Sequence, residues 1–159
     1  MESGLRIEPV RGRSQAERPA GLATLWEASG KPGSDPRAWL AEVAVAVVDA
    51  EGRAAGASTV RPQRIPFVGG RELWAYQAVL APHVPLDWFM PMLGATFDLL
   101  AAEFALAGEG PAGVFLSLRS RELIERHRQF VWPDPAFMYV GYMPDGGQAR
   151  LRYFEGGTI

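Results

Sequence analysis

"APHVPLDWFMPMLGATFDLL", residues 81–100, is the stretch on which the reading of the fold turns. Its right half, Gly94 to Leu100, reads as a close backbone turn running into an apolar helix. Such a helix N-terminus presents free N–H groups that suit a phosphate. Its left half carries Pro91, Trp88 and Phe89 where an anion-binding loop would want a basic side chain. Proline donates no N–H, and the two aromatic rings occupy space that an anion would need.

Working outward, Leu73 to Leu80 is apolar at most positions and predicts a central strand leading into this loop. Helical spacing of Leu93, Phe97, Leu100 and Phe104 predicts a helix over Met92–Leu106, stopped by Gly108 to Pro111. Val114–Leu118 follows as a buried strand. A strand–helix–strand crossover implies a parallel pair. Ser120–Val131 reads as a charged amphipathic helix, broken by Pro133-Asp134-Pro135. Ala136–Tyr142 and Ala149–Phe154 form a closing hairpin around Pro144 to Gly147.

Upstream, Leu5–Val10 alternates as a short first strand, and Ser14–Ser29 carries a helix ended by Lys31-Pro32-Gly33-Ser34. Asp35 before Pro36 is an N-cap signal for a second short helix over Arg37–Glu42. Val43–Val48 and Ala54–Val60 flank Asp49-Ala50-Glu51-Gly52 as an antiparallel hairpin. Arg61–Gly70 reads as a longer connection or an extended, irregular hairpin arm. The sum is one α/β domain over residues 1–159, with a mixed central sheet and helices on both faces.

The chain has 159 residues, a net charge of −2 and a single lysine, which gives no electrostatic case for nucleic acid or an anionic membrane as partner. It has no cysteine, so disulfides, thiol nucleophiles and thiolate metal sites are excluded. His83 and His127 are the only histidines, too few for a histidine-rich metal centre, and no metal is expected. No signal-peptide core is present and no run is expected to span a membrane; a cytoplasmic location is the expectation.

The element order resembles the GNAT fold, that of the Gcn5-related acyl-coenzyme A N-acyltransferases. Three stretches carry the resemblance: Val45 to Ser58, similar to the family's second-to-third strand hairpin; Leu73 to Pro82, similar to the strand before the cofactor loop; and Gly94-Ala95-Thr96 with Leu99-Leu100. The family loop usually reads Arg or Gln, two residues, Gly, one residue, then Gly or Ala. Pro91 stands at the basic position, Thr96 at the second small one, and an insertion lies between Pro82 and Pro91. Near the fourth helix the corresponding register holds Ser120, Leu123, His127 and Val131-Trp132, none of them the family residue.

The resemblance implies transfer of an acyl group from acetyl-coenzyme A, or another acyl-coenzyme A, to a small-molecule or peptide amine by direct attack. On that basis His83 is the candidate base and His127 the candidate acid. The N–H groups of Val79, Leu80 and Ala81 are candidates for stabilising the oxyanion. Gly94, Ala95 and Thr96 are candidate donor contacts; Tyr76, Gln77, Trp88 and Phe89 are candidate pocket residues. Two alternatives stay open: a non-catalytic binding module with a filled donor cleft, and an enzyme using a carrier-protein-bound donor. The closing hairpin offers an edge through which a homodimer could form.

Overall fold

Val43 to Val48 has no polar side chain, so a strand made from it must be covered on both faces. The computed structural model describes residues 4–29 and 35–157, and there this run is the second of seven strands. The elements are β1 (Arg6–Pro9), α1 (Leu22–Ala28), α2 (Pro36–Glu42), β2 (Val43–Val48), β3 (Ala54–Ile65), β4 (Arg71–Leu80), α3 (Phe89–Ala107), β5 (Gly113–Leu118), α4 (Arg121–Arg126), β6 (Met138–Tyr142) and β7 (Gln148–Tyr153). Single 3-10 turns occupy Gln15–Glu17, Pro66–Val68 and Leu86–Trp88. The strands form one mixed sheet in the order β1-β2-β3-β4-β5-β7-β6, with β4 and β5 parallel, as the crossover predicts. The turn at residues 31–34 lies outside the described residues.

The chain resolves into two compact units, Met1–Val60 with Gln77–Thr96, and Arg61–Tyr76 with Phe97–Ile159. In the first unit, Val43, Ala46 and Val48 of β2 pack with Leu22, Leu25 and Trp39 of the first two helices. Val45 and Val47 face the other way, toward Met92 and the half-buried Trp88 and Ala95. Val43 and Ala46 share a face despite their odd spacing because the strand bulges between them. Val43 pairs with Thr59 and Ala46 with Ala57, so Ala44 and Val45 stand opposite Ser58 alone.

The bulge takes the Val45 N–H out of the ladder, and the fully buried Ser58 meets it: Val45 N–H donates to Ser58 Oγ at 3.2 Å. Ser58 Oγ lies 2.8 Å from Thr96 Oγ1, which donates to the Met92 carbonyl at 2.8 Å. Each hydroxyl has one proton. Thr96 spends its proton on Met92, so Ser58 donates to Thr96. The result is a directed chain from β2 through β3 into α3, with every member satisfied. A second bulge, with Ala55 as the extra residue between the Val47–Gly56 and Val48–Ala54 pairs, restores the register.

In the second unit, Ile65, Leu73, Ala112, Phe115, Ala149 and Leu151 form one cluster. Phe97 of α3 packs edge-on to Phe137 and tilted against Phe154, with the Arg152 guanidinium 4.1 Å from its ring centre. Gly113 has no room for a side chain: a Cβ there would lie 2.4 Å from the Arg152 carbonyl oxygen. Arg150 is buried and has no carboxylate against it. Its guanidinium donates to the carbonyls of Gln129, Phe130 and Phe137, and to Gln148 Oε1, and lies over the Trp132 ring.

The extended arm expected after Val60 is strand as far as Ile65. Two expectations need correction. The helix expected over Ser120–Val131 ends at Arg126; the His127 carbonyl, which the Val131 N–H would need, is taken by Trp132 Nε1, and Arg150 holds the segment beyond through the Gln129 and Phe130 carbonyls. Leu86–Ala107 is, by length and composition, long and apolar enough to cross a membrane, contrary to the expectation that no run is. Here it supplies core: Met92, Leu93, Thr96, Phe97 and Leu100 are buried along one stripe.

Replacing Ser58 with Ala strands the Val45 N–H and is expected to cost about 1–3 kcal/mol by denaturant titration. Thr96→Val should cost a similar amount, and the double variant should cost less than the sum, by about 0.5 kcal/mol or more. Additive losses would mean the two hydroxyls act separately. Arg150→Leu should cost about 1–3 kcal/mol, since Gln148 Oε1 and the Gln129 carbonyl lose their donor, while the Phe130 and Phe137 carbonyls keep the N–H groups of Tyr139 and Trp132.

Candidate active site

β4 ends within the first unit, and its backbone decides which amides are presented there. The Ala81 N–H donates to the Ala55 carbonyl at 2.8 Å, so it is committed to β3. The Val79 carbonyl also points that way, 3.1 Å from where a Cβ on Gly56 would sit. Backbone groups of an extended strand alternate between its two edges. Ala78 and Leu80 therefore present their N–H groups on the edge away from β3. Of the three amides expected to face an oxyanion, Leu80 is the one with the right direction, and Ala81 is corrected to a structural bond.

Gly56 is needed for this approach: an added Cβ would also fall 2.7 Å from Leu80 Cδ2. The parallel register of β4 with β5 covers Trp74, Ala75 and Tyr76, and β4 continues to Leu80.

Beside the end of β4 lies a cavity of about 340 Å³, lined by Leu25, Ala28 and Ser29 of the α1 segment and by residues 78–82. Its only side-chain hydroxyl, that of Ser29, donates to the Trp26 carbonyl. Among the described residues the lining has no charged side chain, which suits an apolar group. His83 is exposed in the loop directly after Pro82, next to this lining in the chain.

Residues 94–96 are helix, as the spacing over Met92–Leu106 predicts, and not the turn read at Gly94. α3 begins at Phe89, preceded by the 3-10 turn Leu86–Trp88, so Gly94, Ala95 and Thr96 lie in its second turn. Their amides follow the helical i→i−4 pattern and do not form a cradle. Pro91 sits in the first turn, where a missing N–H does little harm. Thr96 is fully buried and its hydroxyl belongs to the chain with Ser58.

Among the pocket candidates, Trp88 is half-buried against Val45, Val47 and Met92, and Phe89 is buried; neither lines the cavity. The Trp88 indole N–H is buried and has no acceptor among the described residues. Gln77 is exposed. Tyr76 is buried in the second unit, and burial pushes its phenol above the ordinary range, which keeps it neutral.

His127 belongs to the second unit, where it is the C-cap of α4, half-buried, with its ring edge-on to Trp132 at 5.8 Å. The position after Ser120 and Leu123 in the family's pattern thus falls at the end of a short helix. Ser120 itself caps that helix through Leu123 N–H at 3.2 Å. Among the described residues no cluster of His, Cys, Asp or Glu could hold a metal. Sequence reasoning missed Ser58 and Arg150. Ser58 and its neighbour Thr59 are the hydroxyls in an otherwise apolar run from Ala54 to Val60, and that was the signal; nothing local marks Arg150 among the other arginines.

The edge strand β6 is partly covered. The Tyr139 N–H donates to the Phe130 carbonyl and the Trp132 N–H to the Phe137 carbonyl, while Gly141 bulges at φ +132°. Among the described residues its last positions keep the clearest edge.

No protein-family model matches the chain, and no curated protein matches it in sequence. Solved structures do match it in shape. A bacterial toxin aligns over 98% of this chain and 94% of its own, with TM-score 0.63 and 12% identity. The NatC complex bound to Gag peptide and CoA gives 93%, 96%, 0.55 and 12% on the same measures. A GCN5-related N-acetyltransferase from Kribbella flavida gives 94%, 98%, 0.54 and 13%.

Raising the pH should unfold the protein before Tyr76 ionises. The folded phenol is raised, so its stabilisation is complete below the unfolded value of about 10 and falls away above it. Tyr76→Phe removes this loss. Phenolate absorbance should show one of the four tyrosines titrating only with unfolding, and the variant should gain stability relative to the parent above about pH 10.

With an element order, a parallel β4–β5 pair and structural neighbours that agree, the chain has the GNAT fold.

Proposed function

We propose that this protein transfers an acyl group from a pantetheine-type thioester to an amine whose apolar portion occupies the cavity beside β4. The observation that carries this reading is the apolar cavity at the end of β4, with the Leu80 N–H directed away from β3. GNAT-fold neighbours, one of them a CoA complex, support an acyltransferase as the kind of activity.

The pyrophosphate of coenzyme A does not fit the residues at the expected loop. The Trp88 N–H is spent on Pro85 and the Phe89 N–H on Leu86, Pro91 has none, and residues 94–96 are inside the helix. Asp87 adds a negative charge at the same helical start. The reading therefore assigns no role to a pyrophosphate clamp, and a free acyl-CoA and a carrier-bound thioester are equivalent donors of the acyl group.

Within that reading the Leu80 N–H is placed to donate to a carbonyl oxygen as it gains charge. His83, one residue beyond the lining, is the group placed to take the proton from the amine. A second reading, a non-catalytic module, draws on the same helical closure of residues 86–96.

Thiol release from acetyl-CoA and from acetylated pantetheine, with a panel of apolar amines, tests this directly. The chain has no cysteine, so the protein contributes no background thiol. Both donors should react, with kcat/KM values within about tenfold of each other, since no contact to the pyrophosphate separates them. Ala28→Trp, at the cavity rim, should raise the amine KM by about tenfold or more while the fold persists. No release and no binding with either donor would establish the non-catalytic module instead.

A further inference from the structure

A second cavity is small, polar and basic. It has a volume of about 260 Å³ and is lined by Arg13, Gln15, Arg18, Arg37, Leu40 and Ala41. All six residues belong to the first unit. Among the described residues three guanidinium side chains and no carboxylate line it, on a chain whose overall charge is −2. Positive charge concentrated in a concave site focuses the local field on an arriving anion.

The arginines are held to different degrees. Arg18 is fixed by two backbone carbonyls, Nε to Arg13 at 3.3 Å and Nη1 to Leu40 at 2.6 Å. These bonds orient the guanidinium without neutralising it, and they leave donors over. Arg13 is half-buried and shares one donor with Glu8 at 3.3 Å. Arg37 is exposed on the first turn of α2, and its side chain has no hydrogen bond or ion pair among the described residues. A forked, fixed donor beside a partly compensated one and an unengaged one matches a tetrahedral oxyanion better than a flat carboxylate. Leu40 and Ala41 add a small apolar wall, and the volume exceeds what one phosphate fills.

We propose that this cavity binds the phosphoryl group of a small phosphomonoester or free phosphate, at a site separate from the acyl-transfer cavity. Arg18 and Arg37 supply the main contacts. The site stands whether or not the chain is an acyltransferase.

Calorimetric titration of the whole chain at low ionic strength, with inorganic phosphate and with glycerol phosphate, tests it. Saturable binding is expected in the millimolar range or tighter, weakening as salt is added. Tighter binding of glycerol phosphate would identify the organic ester as the ligand, and equal binding would identify phosphate itself. Arg37→Gln should weaken either by about tenfold with an unchanged melting temperature, because Arg37 holds no part of the fold. Arg18→Gln should weaken it at least as much. Absence of saturable binding to the parent chain overturns the proposal, and so does binding that survives Arg37→Gln and Arg18→Gln unchanged.

Discussion

One buried N–H sets much of the first unit. Two residues of β2 stand opposite one of β3, and the Val45 amide is left without a strand partner. An unmet buried amide is expensive. Ser58 meets it and passes the demand on, so that Thr96 must sit against β3 and turn its own proton back to Met92. The rotation of α3 about its axis follows from that, and with it the placement of Met92 against Val45 and Val47. A purely apolar interface would allow the helix to slide or turn; a directed hydrogen-bond chain admits one setting.

The same constraint explains why the stretch at residues 81–100 reads one way and folds another. Gly94 followed by Thr96 has the look of a turn before a helix, and both residues are poor helix formers. Tertiary demand outweighs that preference. Thr96 is held by Ser58, and Gly94 is carried into the helix between the buried Leu93 and Thr96. Pro91, which looks like a barrier, falls where a helix tolerates it.

What the sequence made legible was the part governed by periodicity and turn chemistry. The strands around Asp49-Ala50-Glu51-Gly52, the apolar β4, the parallel crossover and the Asp35-Pro36 helix start follow from local rules. The early end of the helix after Ser120 follows from no local rule: the Trp132 indole takes the His127 carbonyl, and Arg150, far along the chain, holds the segment beyond through the Gln129 and Phe130 carbonyls. The candidate site was legible in its position, at the end of β4, and not in its atoms. Whether Leu80 or Ala81 presents its amide depends on strand parity, which the Ala55 carbonyl fixes and no spacing of side chains reveals. Trp88 and Phe89 are large enough to be lids or core, and only the packing distinguishes the two.

The two bulges in the β2–β3 hairpin carry opposite offsets, one extra residue on each strand, so that Val43–Thr59 and Val48–Ala54 enclose equal lengths of chain. Removing either extra residue alone would put the flanking pairs out of step and turn buried side chains to the wrong face. Removing both would leave the outer pairs where they are and straighten the ribbon between them. In lineage terms the two insertions are a linked trait: a descendant can keep both or lose both, but an intermediate with one must re-cover a whole face of the strand.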